Sequence, residues 1–191
     1  GTITDSKGNT YTAVGTPQAD WTSTWGVSQW FYCEDGVGGT SHSVTVNFTG
    51  TAFPVAHLIE VTSANGAPVY DSAATAQNQD AASPYTVTSG TLTNATSVLL
   101  SGCGANRGAD GAYSSSNFTV LSQEPAVSSF WTSGAAKLVV SATTAVTPSW
   151  TVLNRSETAG VTVISFYAPA GASGPVGLAS ATGPQWLVGI G

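Results

Sequence analysis

The chain has 191 residues, enough for one domain with a substantial hydrophobic core. Only 7% of its residues are charged, against about 25% in an ordinary soluble domain. Lys and Arg number 4 and Asp and Glu number 10, so the net charge of −6 argues against a nucleic-acid partner. No apolar run approaches the roughly 20 residues that cross a bilayer, so we expect no membrane insertion.

The first element in the chain is a pair of short alternating runs, 2–4 and 11–14, on either side of Asp5-Ser-Lys-Gly-Asn9. This pattern predicts a hairpin in which Asp5 and Asn9 hold backbone groups and Gly8 takes a positive φ. A calcium loop is the alternative, but Lys7 would place a cation inside it and the D-x-D-x-D-G pattern is missing. The sequence therefore favours a turn.

Period-two alternation continues along the chain, and a helical period is hard to find. Strands are predicted at 28–34, 42–48, 54–62, 85–93 (with a bulge at Gly90), 97–104, 117–123, 136–143, 149–154 and 160–168. About ten strands indicate an all-β fold, an antiparallel β-sandwich of jelly-roll or immunoglobulin-like kind. Segments 63–84 and 104–116 are predicted as long loops that are functional or cover a sheet edge.

The composition changes at Pro169, which divides a β-sandwich domain at 1–168 from a Gly/Ala/Pro-rich tail at 169–191. An exposed apolar tail would be an aggregation hazard. We expect it either to fold back on its own sandwich or to dock on a partner. The predicted docking residues are Trp186, Leu187, Val188 and Ile190.

Two cysteines, Cys33 and Cys103, both fall in strand-like runs. Two are too few to define a disulfide scaffold. A pair of small buried thiols is favoured, and a Cys33–Cys103 disulfide is the alternative.

Catalytic and metal-binding patterns are weak. His42 and His57 lack the surroundings of a nucleophile–histidine–carboxylate triad, and the sequence has no H-x-H or C-x-x-C. Glu34, Asp35 and Glu60 could supply paired carboxylates for glycoside hydrolysis, but nothing in their spacing singles out an acid and a base. We expect no enzyme activity, no cofactor and no metal.

Exposed aromatic residues are the more interesting signal. Trp21 and Trp25 lie in a Thr/Ser/Gly-rich stretch next to Asp20. Indole faces stack on sugar rings while polar neighbours bind the hydroxyls, so these three residues are a candidate glycan-binding platform. Structural packing of these tryptophans is the alternative.

Four segments, at 4–12, 29–34, 37–48 and 98–104, carry a family resemblance that begins with Asp5-Ser-Lys-Gly-Asn-Thr-Tyr11. They resemble the "D-x-x-G-N-T-Y" β-sandwich domain of tailed-phage virion proteins and bacterial surface proteins. The similarity covers 2–168 and implies a structural motif with no catalytic residues. It also implies first strands that precede this chain, since the sequence begins at Gly1, or that come from another subunit.

The function expected from these observations is a non-enzymatic decoration, spike or fibre protein of a phage or phage-like particle. It would be oligomeric and displayed on the virion surface. Its partners would be copies of itself, capsid or tail subunits, and host surface polysaccharide. The alternative is a secreted carbohydrate-binding or adhesion module.

Overall fold

A computed structural model describes residues 2–19, 27–47, 55–63, 66–106, 113–127, 131–152, 158–169, 176–177 and 185–190. In these ranges all regular structure is β, and every strand pair is antiparallel. The all-β sandwich class predicted from the sequence is confirmed.

Fifteen strands are present in the described residues, more than the sequence pattern predicted. They are β1 (Thr2–Asp5), β2 (Thr12–Ala19), β3 (Val27–Cys33), β4 (Val44–Asn47), β5 (Ala56–Ser63), β6 (Val69–Asp80), β7 (Tyr85–Thr86), β8 (Ser97–Asn106), β9 (Tyr113–Ser115), β10 (Thr119–Val127), β11 (Trp131–Val140), β12 (Ser149–Val152), β13 (Ala159–Tyr167), β14 (Val176–Gly177) and β15 (Gln185–Ile190).

The middle layer is a five-stranded sheet in the order β10-β11-β8-β13-β6. Every residue of β13 except Tyr167 is buried, which means that both faces of this strand are covered. Its sequence fits that position, because Val161-Thr-Val-Ile-Ser-Phe166 has no charge and is rich in β-branched residues. Two further layers are therefore required, one on each face.

The second layer is a sheet in the order β14-β5-β15-β3-β2. Its inward side chains pack on one face of the middle sheet. The shared core cluster consists of Val14, Trp30, Ile59, Val61, Val98, Leu100, Ala135, Ile164, Phe166 and Ala168. Trp30 of β3 lies directly over Gly102 of β8, where a Cβ would overlap the indole ring.

The third layer is a short sheet, β7-β12-β9, on the opposite face of the middle sheet. Trp150 is its fully buried centre, and its Nε1 donates a hydrogen bond to Ser101 Oγ over 2.9 Å. Gly134 lets Trp150 and Tyr113 approach the middle sheet closely. This second core is separate from the one around Trp30.

The predicted hairpin at the start of the chain is wrong. β1 pairs with β4, in a separate two-stranded sheet, while β2 pairs with β3. The turn itself is as expected, with Gly8 at φ 77°. The local sequence predicted the position of the turn. The strand partner of β1 lies some 40 residues further along the chain, and the alternation of polar and apolar residues does not indicate which strands pair.

Two further element predictions need correction. Most of segment 63–84, predicted as a loop, is the strand β6 at one edge of the middle sheet. Its polar sequence fits an edge strand with an exposed face. Of segment 85–93, only Tyr85–Thr86 forms a strand, and Gly90 instead packs against the backbone of Ala73.

The end of the chain also differs from a free tail. The backbone of β15 pairs with β3 on one side and β5 on the other, and β14 pairs with the far end of β5. In the described part of the tail, β14 and β15 pair with strands of the same chain, and docking of the tail on a partner stays a prediction. The four residues predicted to dock belong to β15, whose backbone pairs with a strand on each side; they are Trp186, Leu187, Val188 and Ile190.

Gly102→Ala tests the packing of the first two layers. We expect the free energy of unfolding to fall by about 1–3 kcal/mol, because the new Cβ overlaps the Trp30 ring. Urea denaturation followed by circular dichroism measures the change. Trp30→Leu in the same chain makes room, so the double variant should lose less than the sum of the single losses. Strict additivity would contradict this packing.

Candidate functional site

The turn predicted from the motif is organised around the carboxylate of Asp5. Its Oδ1 accepts hydrogen bonds from the backbone N–H groups of Lys7 (2.9 Å) and Asn9 (3.0 Å). Its Oδ2 contacts Asn9 Nδ2 (2.6 Å), Tyr11 Oη (2.8 Å) and His42 Nε2 (2.9 Å). We call Asp5, Asn9, Tyr11 and His42 the Asp5 cluster.

The Asp5 cluster joins distant parts of the chain. Asn9 exchanges hydrogen bonds with the backbone of Val37, at 3.0 Å to its carbonyl and 2.8 Å from its N–H. His42 comes from the loop before β4, and its side chain is 6% exposed, while that of Asp5 is fully enclosed. The turn therefore fixes the 34–43 loop against the start of the chain.

The electrostatics follow from this enclosure. Burial alone would raise the pKa of Asp5, but the hydrogen bonds from His42, Tyr11 and Asn9 outweigh it and hold the pKa well below its usual range. Burial and the hydrogen bond to Asp5 raise the pKa of Tyr11. Asp5 is thus a stable anion whose oxygens are committed to protein donors, and this supports the turn rather than the calcium-loop interpretation.

Asp5→Asn tests the contribution of this anion. We expect a loss of about 2–3 kcal/mol in unfolding free energy near pH 7, because a charged acceptor is replaced by a group that also carries donors. The folded-state pKa lies below the unfolded value, so the contribution is complete above about pH 4 and is lost as the pH falls through the folded-state pKa.

The matched control is Asp35→Asn, which removes the charge of an exposed residue in the neighbouring loop. The stability gap between wild type and Asp5→Asn should narrow as urea titrations move from pH 7 to pH 2.5. If this difference in unfolding free energy stays constant over that pH range, the ionised carboxylate of Asp5 is not the source of the stabilisation.

A second polar site connects the middle sheet to the second layer. His57 of β5 lies within 2.9 Å of Ser122 Oγ through Nδ1 and within 2.7 Å of Ser133 Oγ through Nε2. A neutral imidazole has one donor and one acceptor nitrogen, and a hydroxyl can serve either one. The sequence prediction of a structural histidine agrees with this buried position, at 6% exposure.

His57 is one of the residues that line an open cleft of about 340 Å³. We call this the β5–β10 cleft. Its walls include Leu58 and Glu60 from β5 and Leu121 and Ser122 from β10. Leu121 is the extra residue of a β-bulge, since Val120 pairs with Ala136 and Ser122 with Ala135.

Both strands of the cleft are sheet edges. β10 is the first strand of the middle sheet. On the outer side of β5, β14 pairs only with Thr62 and Ser63, so across the described ranges the stretch 56–61 of that side has no strand partner. Leu58 (49% exposed) and Leu121 (38% exposed) line this cleft, each on a strand that is a sheet edge over the described residues.

A pair of serine variants tests the cross-sheet histidine. Ser133 is 5% exposed, so Ser133→Ala should leave a buried imidazole nitrogen without its hydroxyl and cost about 1–3 kcal/mol. Ser122 is exposed and water can replace its hydroxyl, so Ser122→Ala should cost less than about 1 kcal/mol. Urea midpoints of both variants provide the measurement, and equal losses would contradict the difference in burial.

The two cysteines are buried thiols and are not joined by a disulfide. Cys103 belongs to the core on the third-layer face of β8, while Cys33 lies at the end of β3 in the second layer. The middle sheet lies between the two positions, which fits two free thiols rather than a bridge. Burial, together with the charges of Asp5, Asp35 and Glu34, raises the pKa of Cys33.

The remaining predicted site residues do not converge. Glu34 accepts a hydrogen bond from the Tyr70 backbone N–H over 3.3 Å, whereas Glu60 lines the β5–β10 cleft. Asp20, Trp21 and Trp25 lie outside the described residues, so the glycan platform stays a prediction of the sequence.

The sequence analysis did not predict the cleft, although the position of His57 indicated that a buried polar contact should exist near it. In the run 57–61 it shares the inward face with Ile59 and Val61, and a polar residue on an apolar face requires buried partners.

Comparison with known proteins finds no family model that matches the chain, and no match among curated proteins or solved structures. Within the described ranges, no group of three or more His, Cys, Asp or Glu side chains is arranged to hold a metal ion. Among the same residues, none forms a helix long and apolar enough to span a membrane.

Proposed function

We propose that this chain is a non-enzymatic structural protein of a phage or phage-like particle. In this role it is displayed on the particle surface and assembles with copies of itself or with capsid or tail subunits. The observation that carries the assembly part of the proposal is the β5–β10 cleft, which two exposed leucines line and whose two strands are sheet edges over the described residues.

Open edges and exposed apolar side chains are liabilities in an isolated protein. Natural sheets protect edges with lysine, proline or inward charges, and leave exposed apolar patches where partners bind. The described walls of the cleft contain one charged residue, Glu60, beside Leu58 and Leu121. A surface of this kind fits a protein that is covered by a neighbour in its working state.

The particle class rests on the resemblance of the motif that begins at Asp5. The Asp5 cluster gives that motif a structural role, since its side chains hold a turn and a loop together. This supports a scaffold function over a catalytic one. Contact with a host polysaccharide, and the alternative of a secreted carbohydrate-binding module, rest on Asp20, Trp21 and Trp25 in the sequence alone.

Charged substitutions in the cleft test the assembly surface. We expect Leu58→Asp and Leu121→Asp each to weaken self-association of the full chain, or its binding to capsid or tail subunits, by about tenfold or more, because a carboxylate would be desolvated in the contact. Light scattering over a concentration series measures self-association, and co-sedimentation with particles lacking the protein measures subunit binding.

The matched control is Val139→Asp, which changes a residue of similar exposure (48%) on β11, outside the cleft. The association constant of this variant should stay within about twofold of wild type, because a surface charge outside the contact affects only the rate at which chains encounter one another. If all three variants assemble like wild type, or if the wild-type chain neither self-associates nor binds particles, the proposal fails.

A further inference from the structure

The second layer depends on a strand from the very end of the chain. Gln185–Ile190 pairs with β3 from Trp186↔Cys33 to Ile190↔Gln29, and with β5 from Gln185↔Val61 to Ile190↔Ala56. We call the gap between β3 and β5 that this strand fills the β15 slot.

Without β15 the second layer would divide into two separate pairs, β14-β5 and β3-β2. The facing edges of β3 and β5 would then expose unpaired backbone groups next to the Trp30 core. Unpaired backbone in such a place is costly, so the slot must be occupied by some strand. In this chain the slot is filled by β15, which runs antiparallel to both β3 and β5.

We propose that the β15 slot also accepts the C-terminal strand of a second copy, so that neighbouring chains in the assembly are linked by strand exchange. This inference rests on the assembly proposed above and names its partner: another copy of the same chain. The exchanged strand makes the same backbone pairs in either copy, so exchange loses no contact of the slot.

The position of β15 in the sequence suits this exchange. Seven residues, 178–184, connect it to β14, and seven extended residues reach about 24 Å. This length is the reach available to a strand that leaves its own slot for the slot of an adjacent copy.

The effective concentration of each strand decides whether the β15 slot holds the strand of the same chain or that of a neighbouring copy. In a dilute monomer, the short connection makes the strand of the same chain win. In an assembly held by the β5–β10 cleft, a neighbouring strand is at comparable effective concentration, and each exchange adds a link between copies. We therefore expect exchange to follow assembly and not to precede it.

The native thiol of Cys33 provides the test, because Cys33 is in register with Trp186. We would prepare two full-length chains in a Cys103→Ser background: one with Trp186→Cys and Cys33→Ser, and one with Cys33 intact and a size tag. Oxidation with diamide is carried out at about pH 8.5, because the raised pKa of Cys33 leaves less thiolate at neutral pH. A disulfide between the two chains at a yield above that of random collision requires that the strand of one chain occupies the slot of the other.

The expected result is a mixed disulfide whose yield exceeds, by about tenfold or more, that of a chain carrying Val139→Cys and Cys33→Ser, which reports random collision. A Trp186→Cys chain that retains Cys33 should close within the chain at low concentration. A second register pair, Tyr32→Cys with Leu187→Cys, covers the case in which the first has unsuitable disulfide geometry.

The outcomes separate the two proposals. If the chain associates by light scattering but the mixed disulfide stays at the Val139→Cys level, strand exchange is overturned and the assembly proposal stands. If the chain does not associate and only closes within itself, both self-assembly and exchange are overturned. If neither register pair closes within or between chains, the occupied slot itself is absent and the inference falls with it.

Discussion

The burial of β13 on both faces is the constraint on which the rest of the structure depends. A strand without charge on either side must be covered twice, and one sheet packing on another covers it only once. The chain meets this demand with two separate cores. One is centred on Trp30 over Gly102, and the other on Trp150 beside Gly134. In both cores a glycine of the middle sheet lies where an indole ring from an outer layer needs space, so the three layers fit through complementary shape.

With so few charges, the chain uses buried polar groups at selected points between its elements. The Asp5 cluster and the His57–Ser133 contact each connect segments far apart in sequence. Such contacts contribute modest net free energy, but an unmet buried polar group is costly, so they favour one register over its alternatives. In the segment that begins at Asp5, the side chains of Asp5, Asn9 and Tyr11 each have a hydrogen-bonding role in the turn.

The strand content and the turn at Gly8 were predictable because alternation and turn chemistry are local. β6 was missed because an edge strand tolerates Gln, Asn and Ser, which also compose loops. The pairing of β1 with β4, the insertion of β15 and the approach of Ser133 to His57 depend on residues that meet only after the chain has folded. No local pattern contains such information. The β5–β10 cleft belongs to the same class, since its two walls are more than 60 residues apart.

Strand β5 is where the two proposals meet. Its outer edge lines the β5–β10 cleft, and its inner edge holds β15. Its outward residues alternate with the inward His57, Ile59 and Val61, which fix it against the middle sheet. A partner on the outer edge and a strand on the inner edge would therefore bind the same rigid element from opposite sides. Because the two edges use different backbone groups, occupancy of one does not exclude the other, and an assembly could use both contacts in every copy.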